Sequence, residues 1–286
     1  MFVILYVMKI SLLDRSLFIQ RFRNQLLSRG LLEIDPPQMM SQAGYDPQIR
    51  SIKAKGVKFE TYLHNSPELF LKYLITHDQT ASERGVFSLS HVFRDDPKTN
   101  FHRREFMMAE WYRPHFNLEQ LQHDTIQLIY SLTHFKSYSY LDLTKEFAFN
   151  YNDHDTLESF LKSHIRLPPD TTFEDLFSLF WLHFVEEKIQ NNLWIISGFP
   201  SKLKSMSKIQ SINQNICERF EICINGVEIA NAYEEENDSR ILPNSHFLKG
   251  SLESLNLCSG IALGVERLLA FSRGYTHIED VMFPEL

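Results

Sequence analysis

Two runs in the middle of the chain alternate apolar and polar residues with period two, one on each side of a polar stretch from Arg94 to Glu105. In the first, Phe87, Leu89 and Phe93 share one face and Ser88, Ser90, Val92 and Arg94 share the other. In the second, Phe106, Met108, Glu110 and Tyr112 share a face, with neighbours ~7 Å apart by strand geometry. The pattern predicts a hairpin with one apolar face and one open face lined by an arginine, a carboxylate, a phenol and a ring. Upstream, Phe18, Ile19, Phe22 and Leu26 recur at helical spacing and predict a helix over Ser16 to Arg29, ended by Gly30. A short strand, Leu31 to Ile34, follows and is closed by Asp35, Pro36 and Pro37. Gln48 to Lys53 and Lys58 to Leu63 read as a hairpin across Ala54, Lys55 and Gly56. Ser66 then caps a helix whose first turn holds Pro67, where the missing N–H costs nothing.

After the central hairpin, Leu121, Leu128, Ile129 and Leu132 predict a helix within Leu118 to Phe135. Residues 136–192 are rich in Phe and Leu, with Thr172 to Gln190 helical, and Leu193 to Ser197 is a strand ending at Gly198. Lys202, Lys204 and Lys208 form a basic cluster that reads as a solvated face. Asn225-Gly226 predicts a tight hairpin turn, because such a turn takes positive φ at both central positions. That turn pairs Ile224 with Val227, Cys223 with Glu228 and Glu221 with Ala230. Residues 239–257, with Pro243, read as loop with one helical turn. Cys258 to Leu268 reads as a glycine-bearing strand that passes into a helix at Gly264, with Arg267 on its first turn.

The 286 residues are 43% hydrophobic and 13% aromatic, enough for a sizeable core. A net charge of −7 argues against an electrostatic grip on long nucleic acid. Cys217, Cys223 and Cys258 have no metal-ligand spacing and fit a reducing, cytoplasmic setting without disulfide or zinc. The apolar start Met1 to Met8 is too short to span a bilayer, which takes ~20 residues. It also lacks the basic flank of a signal peptide, and Met8 is an alternative initiator. No repeat or low-complexity tract is present.

The open face of the central hairpin suits a zwitterionic amino acid beside a nucleotide. Arg94 forks onto a carboxylate or phosphate, Glu110 accepts from an ammonium, and Phe106 offers a flat face to a base. On spacing alone, an amphipathic hairpin with a charged outer face is an equal reading. In the later hairpin, Glu221 and Glu228 are diagonal neighbours ~7 Å apart. Two carboxylates that close repel unless a cation sits between them, and the pair suits Mg²⁺ held against ATP phosphates. A pair of exposed glutamates with shifted pKa values is the alternative.

Phe93-Arg94 with Glu105-Phe106 and Glu110 resembles the second motif of class II aminoacyl-tRNA synthetases, and the Gly260 to Arg267 segment resembles the third. The helix-Gly30-strand-Pro36 order is similar to the first, which in the family makes the dimer interface. The run Glu110-Trp111-Tyr112-Arg113-Pro114-His115 more narrowly resembles lysyl-tRNA synthetase paralogues that join lysine to elongation factor P. The resemblance covers Leu17 to Pro284. It implies an α+β fold, a mostly antiparallel sheet flanked by helices, with residues 1–15 an extension and 16–286 one catalytic domain. It also implies a homodimer and leaves no room for an anticodon-binding domain.

By the same resemblance, ATP would meet Arg94, Asp95, Asp96, His102, Arg103 and Phe106 on the central hairpin. It would also meet Glu221 and Ile222, and Gly264 with Arg267. The amino acid would meet Ser66, Pro67, Glu68, Glu110 and Tyr112, together with Glu228, Asn231, Tyr233, Glu235 and Ala262. Arg94 and Arg267 would be the catalytic charges, and Glu221 with Glu228 the metal ligands. For Glu228 to face the same site as Asn231, Tyr233 and Glu235, the strand must bulge near Ala230. Ala262, where lysyl-tRNA synthetases carry glycine, is similar to the ligases and favours β-lysine over lysine. Asp95-Asp96 stand in place of Asn-Glu, and Arg103-Arg104 in place of Asn-Pro, which brings charge near the nucleotide. The 239–257 segment is shorter than the family's by several tens of residues. The implied activity is ATP-dependent activation of lysine or β-lysine and transfer to elongation factor P. An adenylating enzyme with another acceptor, or a non-catalytic ATP- or lysine-binding paralogue, are the alternatives.

Overall fold

The structure is a computed structural model that describes residues 9–41, 49–56, 60–238 and 257–284. The Met1 to Met8 start, the loop at Pro243 and parts of the 48–63 hairpin lie outside the described residues. The chain divides into two compact units, 1–135 with 237–286, and 136–236.

In chain order the first unit holds α1 (Leu12–Ser28), β1 (Leu32–Glu33), β2 (Met39–Met40), β3 (Lys53–Lys55), β4 (Glu60–Leu63), α2 (Glu68–His77), α3 (Gln79–Arg84), β5 (Val86–Phe93), β6 (Glu105–Pro114) and α4 (Leu118–Leu132). The second holds β7 (Ser139–Asp142), α5 (Leu143–Glu146), α6 (His154–Lys162), α7 (Phe173–Phe180), β8 (Leu193–Ser197), β9 (Arg219–Ile224) and β10 (Val227–Glu234). The chain then returns to the first unit with β11 (Cys258–Gly264) and α8 (Val265–Ser272).

In the first unit β5 pairs antiparallel with β6, β6 antiparallel with β11, and β1 parallel with β5. A smaller antiparallel sheet runs β2-β4-β3. Its β3–β4 register takes Ala54 and Lys55 into the strand, so the turn begins later than the sequence predicts. Helix α1 starts at Leu12, four residues before the predicted Ser16, because the Ser11 hydroxyl accepts from Asp14 N–H and caps it there.

The predicted open face of the central hairpin is not open. Phe22 of α1 meets Trp111 edge-on, ring centroids 6.5 Å apart, on one side. On the other side Leu71 and Ile75 of α2 pack with Val86 and Tyr112. Ser88 and Ser90 are therefore buried, and they satisfy each other through a 2.9 Å hydroxyl pair. Helices on both faces of a sheet cannot be read from the period of a single strand.

In the second unit β7 and β8 are parallel, and β8, β9 and β10 are antiparallel. Its core is aromatic, with Phe147, Phe149, Tyr151, Phe160 and Phe180 in mutual ring contact. The predicted 172–190 helix is helical throughout, but changes from α to a π turn at Trp181–Val185 and a 3₁₀ turn at Glu186–Ile189. Of the lysine cluster only Lys202 is exposed: Lys204 pairs with Glu236 and Lys208 with Glu234, each at 3.2 Å. Among the described residues no helix is long and apolar enough to cross a membrane.

Candidate active site

Helix α2 and strand β6 build a buried acid pocket in the first unit. Pro67 occupies the N-cap position of α2, and the Ser66 hydroxyl accepts from Glu68 N–H at 2.9 Å. That leaves the serine proton free to point at Glu110 Oε2, 2.7 Å away. Two residues along β6, on the same face as the period-two pattern requires, the Tyr112 hydroxyl donates to Glu110 Oε1 at 2.7 Å. Glu110 is 2% exposed, and its strand neighbours are Ser88 on β5 and Ala262 on β11. Burial, and after it the charge of Glu68, pushes its carboxyl up to about 8 against the pull of the two hydroxyl bonds and Lys72.

Lys72 is the residue that pattern reading missed. It is 1% exposed, its ammonium lies 2.7 Å from Glu68 Oε1, and it sits 5.6 Å from the Tyr112 ring centroid. Its signal in the sequence is a basic residue four after Glu68 inside the apolar run Leu69, Phe70, Leu71.

The β5–β6 loop carries the predicted nucleotide residues. The Arg94 backbone N–H bonds Arg104 O at 2.8 Å, Arg94 Nε donates to Asn65 O at 3.3 Å, and the guanidinium lies 5.3 Å from the Phe106 ring centroid. Arg267, on the first turn of α8 as predicted, donates from Nε to Phe101 O at 3.0 Å. The Arg267 guanidinium is thus tied to the β5–β6 loop, and that of Arg94 to the turn before α2. Glu266 braces this arrangement, for its carboxylate takes Arg15 at 3.1 Å and Met107 N–H at 2.9 Å. It joins α1, α8 and the strand beside Phe106.

Gly264 is the N-cap of α8, and a Cβ there would meet only the Arg267 side chain, at 3.6 Å. Asp95 is exposed, pairing with Arg104 at 3.3 Å, while Asp96 is half-buried. His102 shares a 2.7 Å contact with the Thr99 hydroxyl. Arg103 is buried and pairs with Glu279 at 2.8 Å, a carboxylate that also takes Lys98 at 2.5 Å.

In the second unit Asn225 and Gly226 have φ of 51° and 80°, the tight turn that Asn-Gly predicts. The register holds for Ile224 with Val227 and Cys223 with Glu228. It then slips by one residue between Glu228 and Ala230, so Glu221 faces Asn231 instead of the expected Ala230. This is the predicted bulge. Asn231 and Tyr233 come into one network with Arg219: Arg219 Nε donates to Asn231 Oδ1 at 3.2 Å and Asn231 Nδ2 to the Tyr233 hydroxyl at 2.9 Å.

Arg219, a second residue missed from the sequence, also bonds Glu221 and shares its strand parity. Glu221 is 6% exposed, and burial, followed by the charge of Glu228, pushes its carboxyl up to about 7 while Arg219 pulls it down. Glu235 is buried at a bridge to Ser207, and Ile222 is fully buried. Glu221 and the exposed Glu228 carry hard oxygen atoms, the donor type that Mg²⁺ takes, and the Arg219 guanidinium already pairs with Glu221. Among the described residues no group of three or more His, Cys, Asp or Glu is placed to hold a metal ion.

The buried Glu110 pocket, the arginines Arg94 and Arg267, and the Glu221 hairpin lie in a sequence that matches the class II tRNA synthetases (D, K and N) over residues 6–286. The chain belongs to this family. It is similar to the elongation factor P--(R)-beta-lysine ligase of Haemophilus ducreyi, 28% identical over 307 residues that span 95% of this chain and 92% of the relative. The proteins of the same name from Photorhabdus laumondii and Proteus mirabilis are 27% and 29% identical, spanning 95% and 96% of this chain and 94% of each relative. An alignment of 307 positions exceeds the 286 residues of this chain, so the relative carries residues that this chain lacks.

Proposed function

We propose that the protein uses ATP to activate lysine or (R)-β-lysine as an aminoacyl-adenylate and transfers the acyl group to a lysine side chain of elongation factor P. The observation that carries this reading is Glu110, a buried carboxylate held by Ser66 and Tyr112 and short of a cation. Relatives named as elongation factor P ligases support the substrate and the acceptor. In the first step a substrate carboxylate oxygen bonds to the α-phosphorus of ATP and pyrophosphate leaves. No general base is needed, because the attacking group is already an anion; positioning and charge neutralisation do the catalysis.

Arg94 and Arg267 meet the phosphate charge, Phe106 meets the base, and the polar loop residues Asp95, Asp96 and His102 meet the rest of the nucleotide. Arg103 acts one step back, anchoring the loop to Glu279. Bound Mg²⁺, held by Glu221 and Glu228, would add positive charge against phosphate oxygens. Ser66, Glu68, Glu110 and Tyr112 select the amino acid, an unpaired ammonium among them being costly. In the second step the acceptor amine attacks the carbonyl, an amide forms, AMP leaves and the amine gives up a proton.

The dimer expected of the family has support in α1, where Leu12, Leu13, Leu17 and Leu27 are 64%, 68%, 39% and 43% exposed. The cytoplasm is the setting that this chemistry and three buried thiols fit. The test is incubation with ATP, Mg²⁺, elongation factor P and either lysine or (R)-β-lysine. Intact mass of the factor rises by one aminoacyl group if the reading holds. Adenylate formation without that rise points to another acceptor.

A further inference from the structure

The lysine on the buried side of α2 has no need to be there for the sake of packing. Its helix neighbours Leu69, Leu71 and Ile75 belong to the apolar cluster of the first unit, and a leucine or methionine would fill the same place without burying a charge. Nor does Glu68 require it, because the glutamate side chain is 22% exposed and can be solvated whereas Lys72 is 1% exposed. The ion pair is one-sided: the desolvated partner is the cation. Its position 5.6 Å from the Tyr112 ring centroid sets it beside the phenol that holds Glu110.

The groups whose charge or hydrogen bonds act on Glu110 can be counted. From α2 come Glu68 and Lys72; from the turn before it the neutral Ser66; from its own strand Tyr112; from β5 and β11 the uncharged Ser88 and Ala262. With both acids ionised the group holds one net negative charge, and Lys72 already answers Glu68. We propose that Lys72 is a positioning residue that sets the charge of the amino-acid pocket, leaving Glu110 as the one acid whose counter-cation the substrate must bring. This rests on the reading of Ser66, Glu68, Glu110 and Tyr112 as the amino-acid site. The pocket then takes an amino acid that presents one ammonium at Glu110 and rejects an isostere with a methyl group in that place, which would leave the carboxylate buried alone. Ionisation of Glu110 on substrate arrival is eased by the same lysine.

The experiment compares the wild-type chain with Lys72→Met, which keeps length and apolar bulk, and Lys72→Arg, which keeps charge, in amino-acid-dependent pyrophosphate exchange with lysine and norleucine across pH. Lys72→Met is expected to raise KM for lysine about tenfold while KM for ATP holds within about twofold, and to narrow the preference for lysine over norleucine. It also moves the acid limb of the kcat/KM profile for lysine to higher pH, and Lys72→Arg restores both. A Lys72→Met protein with lower stability or kcat but an unchanged lysine KM and an unmoved acid limb would show a purely structural lysine and overturn the inference. Should that variant fail to fold, Lys72→Gln, which keeps a polar side chain beside Glu68 and removes the charge, is measured in its place. An unchanged lysine KM and an unmoved acid limb in it overturn the inference equally. Wild-type protein that exchanges with no amino acid refutes the proposed function itself, and the inference with it. Wild-type exchange with an indifferent Lys72→Met refutes the inference alone.

Discussion

Replacing Glu110 by glutamine is expected to stabilise the substrate-free protein at alkaline pH while it removes amino-acid binding. Glutamine keeps the shape: its carbonyl can accept from Tyr112 and its amide can donate to Ser66 Oγ, so the two 2.7 Å contacts survive. What changes is the proton linkage. Below pH 4.5 the carboxyl is neutral in both folded and unfolded chains, and wild type and variant differ little. Between 4.5 and about 8 the unfolded chain has lost the proton and the folded one retains it, so wild-type stability falls as pH rises. Above about 8 the charge is buried in the folded state and the loss is complete.

The gap from 4.5 to about 8, at about 1.4 kcal/mol per pH unit, sets an upper figure of ~5 kcal/mol at pH 9. Urea unfolding followed by tryptophan fluorescence at pH 5.5, 7 and 9 measures the difference between the two proteins. Other raised carboxyls such as Glu221 and Glu266 cancel, being common to both. The difference should widen in favour of glutamine with each step in pH, and added lysine should stabilise wild type alone. A difference that is flat in pH, or that favours glutamate at pH 9, refutes the claim that Glu110 is an uncompensated buried acid.

Three further outcomes follow from the geometry. Arg94→Ala and Arg267→Ala should each cut pyrophosphate exchange by about 10²–10³-fold, the order seen when one charge-stabilising donor is lost, with the unfolding midpoint nearly unmoved. Arg219→Met leaves Glu221 buried without its partner and should cost ~3–5 kcal/mol in urea unfolding. Gly85 has φ +81°, and a Cβ there would run into Tyr112 O, so Gly85→Ala should lose at least ~2 kcal/mol by the same measurement.

The parts of the fold that local chemistry controls were legible in the sequence. The Asn225-Gly226 turn follows from two residues that accept positive φ, and the bulge before Ala230 follows from a parity conflict between Glu228 and Asn231. Tyr112 meets Glu110 because residues two apart share a strand face. What the pattern could not give is what covers each face. Ser88 and Ser90 read as wet because they alternate with apolar residues, yet α2 packs over that side of the sheet. Lys204 and Lys208 read as solvent-facing because isolated cations usually are, and each is claimed by an acid that only the fold brings near. Arg103, read as a nucleotide contact, is drawn to Glu279, more than a hundred residues away in sequence.

The account stands on amino-acid selection by a carboxylate pocket coupled to ATP, and exchange of labelled pyrophosphate into ATP measures that coupling directly. Exchange that depends on lysine or (R)-β-lysine, is absent without amino acid and is lost in Glu110→Gln is the predicted result. Exchange that is absent with both amino acids, or that proceeds equally well with norleucine, would contradict it.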